Sequence, residues 1–183
     1  MRGLQFAILV LLALIVGIAE AQPLSAQAPA RDGFFIGFGV GGGSLGFEDD
    51  SERESSFTAY FKIGGALSDK VLLGAESSGW AKNEGGITVT SGALNAVAYV
   101  YPAPAGGFFL KGGLGVATLE VESSVFGGSF TATETGLGVT LGAGYDIGFG
   151  GRFGLTPHAD FDYGAFEDGS MNLIRIGLGF NWY

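Results

Sequence analysis

The chain has 183 residues, a formal net charge of −9 and no cysteine. Lys plus Arg is 9 against Asp plus Glu 18, so no basic patch exists to neutralise phosphates, and a nucleic-acid partner is excluded. Without cysteine there is no disulfide, thiolate metal site or lipidated thiol.

The first 21 residues read as a secretory signal peptide. Arg2 gives a short positive region, Phe6 to Ile18 an apolar core too short to span a membrane, and Ala19-Glu20-Ala21 a small-x-small cleavage site before Gln22. A second cleavage position ends at Ala26. Residues 22–32, with Pro23 and Pro29, show no strand or helix period and read as a mobile periplasmic tail. No later segment has the roughly 20 consecutive apolar residues a spanning helix requires.

From Gly33 to Tyr183 the residues alternate apolar with small or polar, and the alternation divides the chain into eight strands. The first runs from about Gly33 to Phe47, with Phe34, Ile36, Phe38 and Val40 on one face and glycines on the other. The second, Phe57 to Leu67, sets Phe57, Phe61 and Ile63 against Thr58, Tyr60 and Lys62. The third, Val71 to Trp80, sets Val71 and Leu73 against Glu76 and Ser78. The fourth begins near Ile87 and ends with Leu94 and Val100 opposed to Asn95, Tyr99 and Tyr101. The fifth, Phe108 to Glu122, opposes Leu110 and Leu114 to Lys111 and Gly113. The sixth, about Thr133 to Ile147, opposes Leu137 and Leu141 to four glycines, Thr140 and Asp146. The seventh, Phe153 to Tyr163, opposes Phe153 and Phe161 to Thr156, His158, Asp160 and Asp162. In the last, Ile174, Ile176, Leu178, Phe180 and Trp182 face one way, and Arg175, Gly177, Gly179 and Asn181 the other.

In a soluble protein the apolar side would be buried, and the opposite side would have little reason to be glycine. The 35 glycines follow strand face, without a collagen period. The pattern fits a barrel turned inside out, apolar towards lipid and glycine or polar towards a narrow lumen. Compact turns at Ser68 to Lys70, Pro102 to Gly107 and Gly148 to Gly151 alternate with longer or more polar connections near Glu48 to Ser56, Ala81 to Gly86, Ser123 to Ala132 and Gly164 to Ser170. Short turns in the periplasm and long loops outside are the habit of such barrels, which sets both termini in the periplasm. Phe108, Phe153, Phe180 and Trp182 then mark the inner rim, and Phe57, Phe161 and Tyr163 the outer one.

The signal peptide, the eight strands, the alternation of turns and loops and the terminal aromatic together resemble the small bacterial outer-membrane barrels of the OmpA/OmpX type, over essentially the whole mature chain. The resemblance implies an all-β, eight-stranded antiparallel transmembrane barrel at 33–183, in a Gram-negative outer membrane. It implies lipid and lipopolysaccharide as surroundings, periplasmic chaperones and the barrel assembly machinery as partners, a monomer, and a terminal assembly signal at Phe180, Trp182 and Tyr183. Tyr183 departs from the pattern by one residue, falling on the parity opposite to Trp182. No peptidoglycan-tethering domain is expected after the barrel.

Eight strands leave an interior that side chains just fill. Tyr60, Tyr99 and Tyr101 are expected to occupy space that glycines on opposite strands leave open. Inward charges must be paired, which groups Lys62, Glu76, Lys111, His158, Asp160, Asp162 and Arg175 with Asp146 as a lumen network. The turn at 68–70 sets Lys62 directly across from Glu76. Tyr99 falls opposite Lys111, and Arg175 reaches Asp160 or Asp162. The network reads either as a charge ladder in a closed lumen or as an ion path.

His158 with Asp160 and Asp162 raises catalysis or metal binding. No serine lies two residues away, no substrate pocket is evident, and three ligands on one strand would spread along ~13 Å. Gly37-Phe38-Gly39-Val40-Gly41-Gly42 matches a dinucleotide-binding glycine pattern, but no helix follows to present amides to pyrophosphate. The acidic run Glu48 to Glu54 suits solvent, or divalent cations bridging lipopolysaccharide phosphates, without the glycine spacing of an EF-hand loop. The expected role is structural and surface-interacting, non-enzymatic and free of cofactor or metal. The alternatives are a porin-like passive path for ions or small solutes, a lipid-modifying enzyme centred on His158, and a lipocalin-like binder, which would need apolar residues inside.

Overall fold

The computed structural model describes residue 29 and residues 31–48, 52–125, 128–149 and 151–183. The expected signal peptide and the tail before residue 29 lie outside the described residues. Eight long strands follow one another: β1 Phe34–Phe47, β2 Arg53–Ala66, β3 Val71–Glu84, β4 Ile87–Val100, β5 Phe108–Val125, β6 Gly128–Tyr145, β7 Phe153–Phe166 and β8 Gly169–Trp182. A two-residue ladder, Ile147–Gly148, continues β6 beyond Asp146.

Each strand pairs antiparallel with its neighbour in sequence, and β1 pairs with β8 from Ile36↔Trp182 to Phe47↔Met171. With β6 also paired to β7, the sheet closes on itself and every membrane-level edge is satisfied. Alternation decides which face meets the outside. Phe38, Leu94, Leu114, Leu141 and Ile176 are all more than half exposed, while Thr58, Lys62, Glu76, Asn95 and Arg175 are buried. An exposed apolar belt around a buried polar interior is the inverse of a soluble barrel, and it fits lipid. The terminal rim of the belt carries aromatics: Phe153 pairs with Trp182, and the rings of Phe34 and Trp182 lie 6.4 Å apart.

Two expectations are corrected. The connections at Ala81 to Gly86 and Gly164 to Ser170 are not long loops. β3 runs on to Glu84 and turns through Gly85 and Gly86, at φ 61° and 85°, a two-residue hairpin turn that needs positive φ at both positions. β7 and β8 are likewise joined by Glu167 and Asp168 alone. Most of the expected loop at Ser123 to Ala132 is also ladder, since β5 and β6 pair out to Val125↔Gly128. These tips are rich in Gly and Ser, so they lack the apolar period by which a strand is read. The difference between the two ends lies in strand length, with β5 and β6 at 18 residues against 14 for the other six long strands.

The second correction concerns the tyrosines. Tyr60 is accommodated by Gly39 and Gly179, where a Cβ would collide with its ring. These glycines lie on β1 and β8, one and two strands away, and not on β6 across the lumen. The ring lies along the wall, which demands small residues beside it.

Candidate functional site

The interior is layered. At the end where β1 begins and β8 ends, Phe35, Leu72, Val97, Tyr99, Tyr101, Phe109 and Tyr183 form a buried cluster. Phe35 lies edge-on to Tyr99, with ring centroids 5.8 Å apart, and Tyr99 edge-on to Phe109 at 5.6 Å. Asp146, fully buried where the β6 ladder breaks, accepts hydrogen bonds from the Tyr101 hydroxyl at 2.8 Å, the Tyr183 hydroxyl at 2.5 Å, Thr156 at 2.6 Å and Asn181 at 3.2 Å. Tyr183 therefore keeps the parity the alternation assigns it. It points inward to Asp146, while Phe180 and Trp182 stay on the lipid face.

The middle layer holds the charges. Glu76 accepts from Lys111 Nζ at 2.8 Å, from Arg175 at 3.3 Å and from the Tyr99 hydroxyl at 2.7 Å. Asp160 lies 3.0 Å from Lys111 and 3.3 Å from Arg175, whose Nε donates to Asp162 at 2.5 Å. Each carboxylate thus meets at least one buried cation, the condition under which charge is tolerated away from water. His158 Nδ1 sits 3.0 Å from Asp160, its ring edge-on to Tyr60, and its Nε2 has no hydrogen-bond partner among the described residues. Among the described residues no group of three or more His, Asp or Glu is placed to hold a metal ion.

Lys62 behaves differently from the sequence reading. The ladder sets it across from Glu76, as turn length and parity require, yet the two are not an ion pair. The Lys62 ammonium leans towards the terminal end, 4.6 Å from the ring centre of Tyr99 and 5.6 Å from that of Phe109. Lys111 and Arg175 approach Glu76 from other strands and saturate its carboxylate, and the aromatic cup offers Lys62 the alternative of π faces. Tyr99 does fall opposite Lys111, and Arg175 opposite Asp160.

Above the charges a second apolar layer closes the lumen with Leu45, Trp80, Ala117, Met171 and Leu173. Trp80 is 2% exposed and donates its indole N–H to the Gly43 carbonyl at 3.2 Å. The void beneath, between Ser78, Ala117, Asp162 and Met171, measures about 10 Å³, room for no more than one water. The sequence reading placed Tyr99 and Tyr101 inside but did not name the rest of the two apolar layers. Their signal was parity: Phe35 and Leu45 share the face of Gly37, and Trp80 that of Glu76, but Phe35 is hidden in the run Phe34-Phe35-Ile36, and Leu45 and Trp80 stand singly among small residues.

Beyond this layer β3 to β6 continue as a projecting sheet. The β6–β7 ladder stops at Leu137↔Ala165, while β5–β6 pairing continues to Val125↔Gly128. Among the described residues, the β6 segment before Leu137 thus has a neighbour on one side only. The sheet is two-faced. Thr88, Thr90, Glu120, Glu122, Thr131 and Thr133 lie on the face continuous with the lipid belt. Val89 and Leu119 pack against the Trp80 layer on the other, where Ile87, Val121 and Phe130 are exposed.

No protein-family model and no curated protein sequence matches the chain. Solved structures do. Ail, the attachment invasion locus protein of Yersinia pestis, is 14% identical, with a TM-score of 0.61 over 82% of this chain and 99% of that one. Neisserial surface protein A is 13% identical, with a TM-score of 0.62 over 82% and 97%. The N-terminal β-barrel domain of Pseudomonas aeruginosa OprF is 18% identical, with a TM-score of 0.53 over 82% and 98%. The chain has the fold of the small outer-membrane barrels. Ail has also been solved with the heparin analogue sucrose octasulfate.

Proposed function

We propose that the protein is a sealed outer-membrane barrel that displays the β3–β6 sheet at the cell surface for interaction with partners, without enzymatic activity. The observation that carries this reading is the β6 edge from residue 128 to 135, which among the described residues is paired on the β5 side alone. A free edge offers backbone donors and acceptors to an extended segment of another molecule. Glu120, Glu122 and Glu134 make the sheet acidic, so a polyanion of the kind bound by Ail is the wrong ligand here. Apolar layers at both ends of the lumen speak against a porin-like path. His158, held by Asp160 and packed edge-on against Tyr60, speaks against lipid chemistry. Lipid covers the belt, lipopolysaccharide adjoins the outer rim, and the assembly machinery reads the terminal strand at Phe180 and Trp182.

In this reading both termini are periplasmic and the long strands point outward. Because the chain has no cysteine, single cysteines report location cleanly. A membrane-impermeant maleimide on intact cells should label Thr133→Cys and leave Asp69→Cys in the opposite turn unlabelled. The reverse pattern would invert the barrel, and labelling of neither residue would remove the sheet from the surface.

A further inference from the structure

Arg31 falls in the segment the sequence reads as a mobile tail, yet its side chain is 2% exposed. Its guanidinium carbon lies over Tyr101, 3.7 Å from the ring centre. One terminal nitrogen donates to the Pro104 carbonyl at 3.1 Å and the other to the Gly106 carbonyl at 2.7 Å. Its Nε lies 3.5 Å from the Asp146 carboxylate. A face, two forked edge donors and a counter-charge are together the features that separate a guanidinium from an ammonium.

The seat is built by the fold and not by the tail. The turn after β4 turns the carbonyls of Pro104 and Gly106 inward, and the Asp146 N–H is pinned to the Gly107 carbonyl at 2.9 Å. Tyr101 and Tyr183 hold one Asp146 oxygen, Thr156 and Asn181 the other. Charge gives an independent argument. Lys111 and Arg175 pair with Glu76, Asp160 and Asp162, and among the described residues only Arg31 lies within ion-pair distance of Asp146.

We propose that the terminal mouth of the barrel is a guanidinium-binding site, filled by the chain's own Arg31, which latches the segment before β1 into the lumen and balances Asp146. The latch closes the end opposite the projecting sheet, so it holds whether or not that sheet meets a partner. It also makes Arg31 a position where lysine fails.

Trypsin tests this, since it cuts after either residue and Arg31→Lys lies outside every ladder. The refolded chain beginning at Gln22 is digested in detergent, and loss of the segment ending at residue 31 is followed by intact mass. Protection follows the free energy of opening, so the lysine variant should be cut about tenfold faster than the native chain. Heat-unfolded native chain should be cut as readily as the unfolded variant. Equal rates for the two folded chains, whether fast or slow, would overturn the proposal.

Discussion

β5 and β6 run through two environments with one ladder. At Lys111, Gly113 and Gly142 they form part of a closed wall whose inward groups are buried and paired. Beyond Ala117 and Leu137 the same strands carry Glu120, Thr131 and Thr133 into water, with one edge left open. The backbone hydrogen bonds are alike, so the difference comes from side chains and closure. Inside, removing one group strands another in a space without water. Outside, solvent replaces whatever is removed. Stability should therefore be concentrated in the lumen, and tolerance of change in the sheet.

Substitutions that break this contrast should rank accordingly. The largest effect is expected at Arg175, which serves Glu76, Asp160 and Asp162 together. Arg175→Met should lower unfolding stability by about 3–5 kcal/mol in refolded detergent samples, because it leaves buried carboxylates uncompensated. A double-mutant cycle sharpens the point. Glu76→Gln combined with Arg175→Met should couple by about 1–3 kcal/mol, whereas Glu76→Gln with Lys62→Met should be nearly additive. Strong coupling in the second pair would restore the ion pair across the first hairpin.

Truncating the upper plug comes next. Trp80→Ala is expected to cost about 3 kcal/mol, at the lower end for a buried aromatic because the neighbouring Val89 and Leu119 are only partly buried. Urea midpoints at constant m-value would check it.

The contrast between Lys62 and its neighbours also shows what a sequence can carry. Its register against Glu76 follows from one turn and a period of two, both local, and both are legible. Its choice of partner depends on Lys111 and Arg175 arriving from other strands, and no local pattern encodes that. Phe35, Trp80 and Tyr183 were legible by parity alone, but a barrel expected to be polar inside discourages reading them as inward. Residues beyond Trp80 and Glu122 read as loops because a strand wet on one or both faces lacks the signal by which strands are recognised. Arg31 lies outside any period, so nothing local marks it.

Changes in the projecting sheet should be small. Thr133→Ala removes one exposed hydrogen bond to Glu120 and should shift stability by no more than about 0.5 kcal/mol. A larger loss would mean that the edge is covered. Smaller still is the titration of Glu84 beyond the apolar belt. Its carboxyl is held below the ordinary 4.5 by a hydrogen bond from Lys82. Because the folded value is depressed, its contribution is present above the ordinary value and fades as pH falls through the lowered one. An NMR titration should give a midpoint under 4.5, and a value at or above that would remove the pair.

In the proposed reading the wall is sealed, and whatever the protein does, it does from the projecting sheet. Single-channel recording of the refolded native barrel in a planar bilayer addresses it most directly. The two apolar layers and the paired charges between them should leave the bilayer at its background current, with no discrete openings. Stable, uniform conductance steps from the native chain would show a continuous water file through the Trp80 and Tyr99 layers and contradict the account.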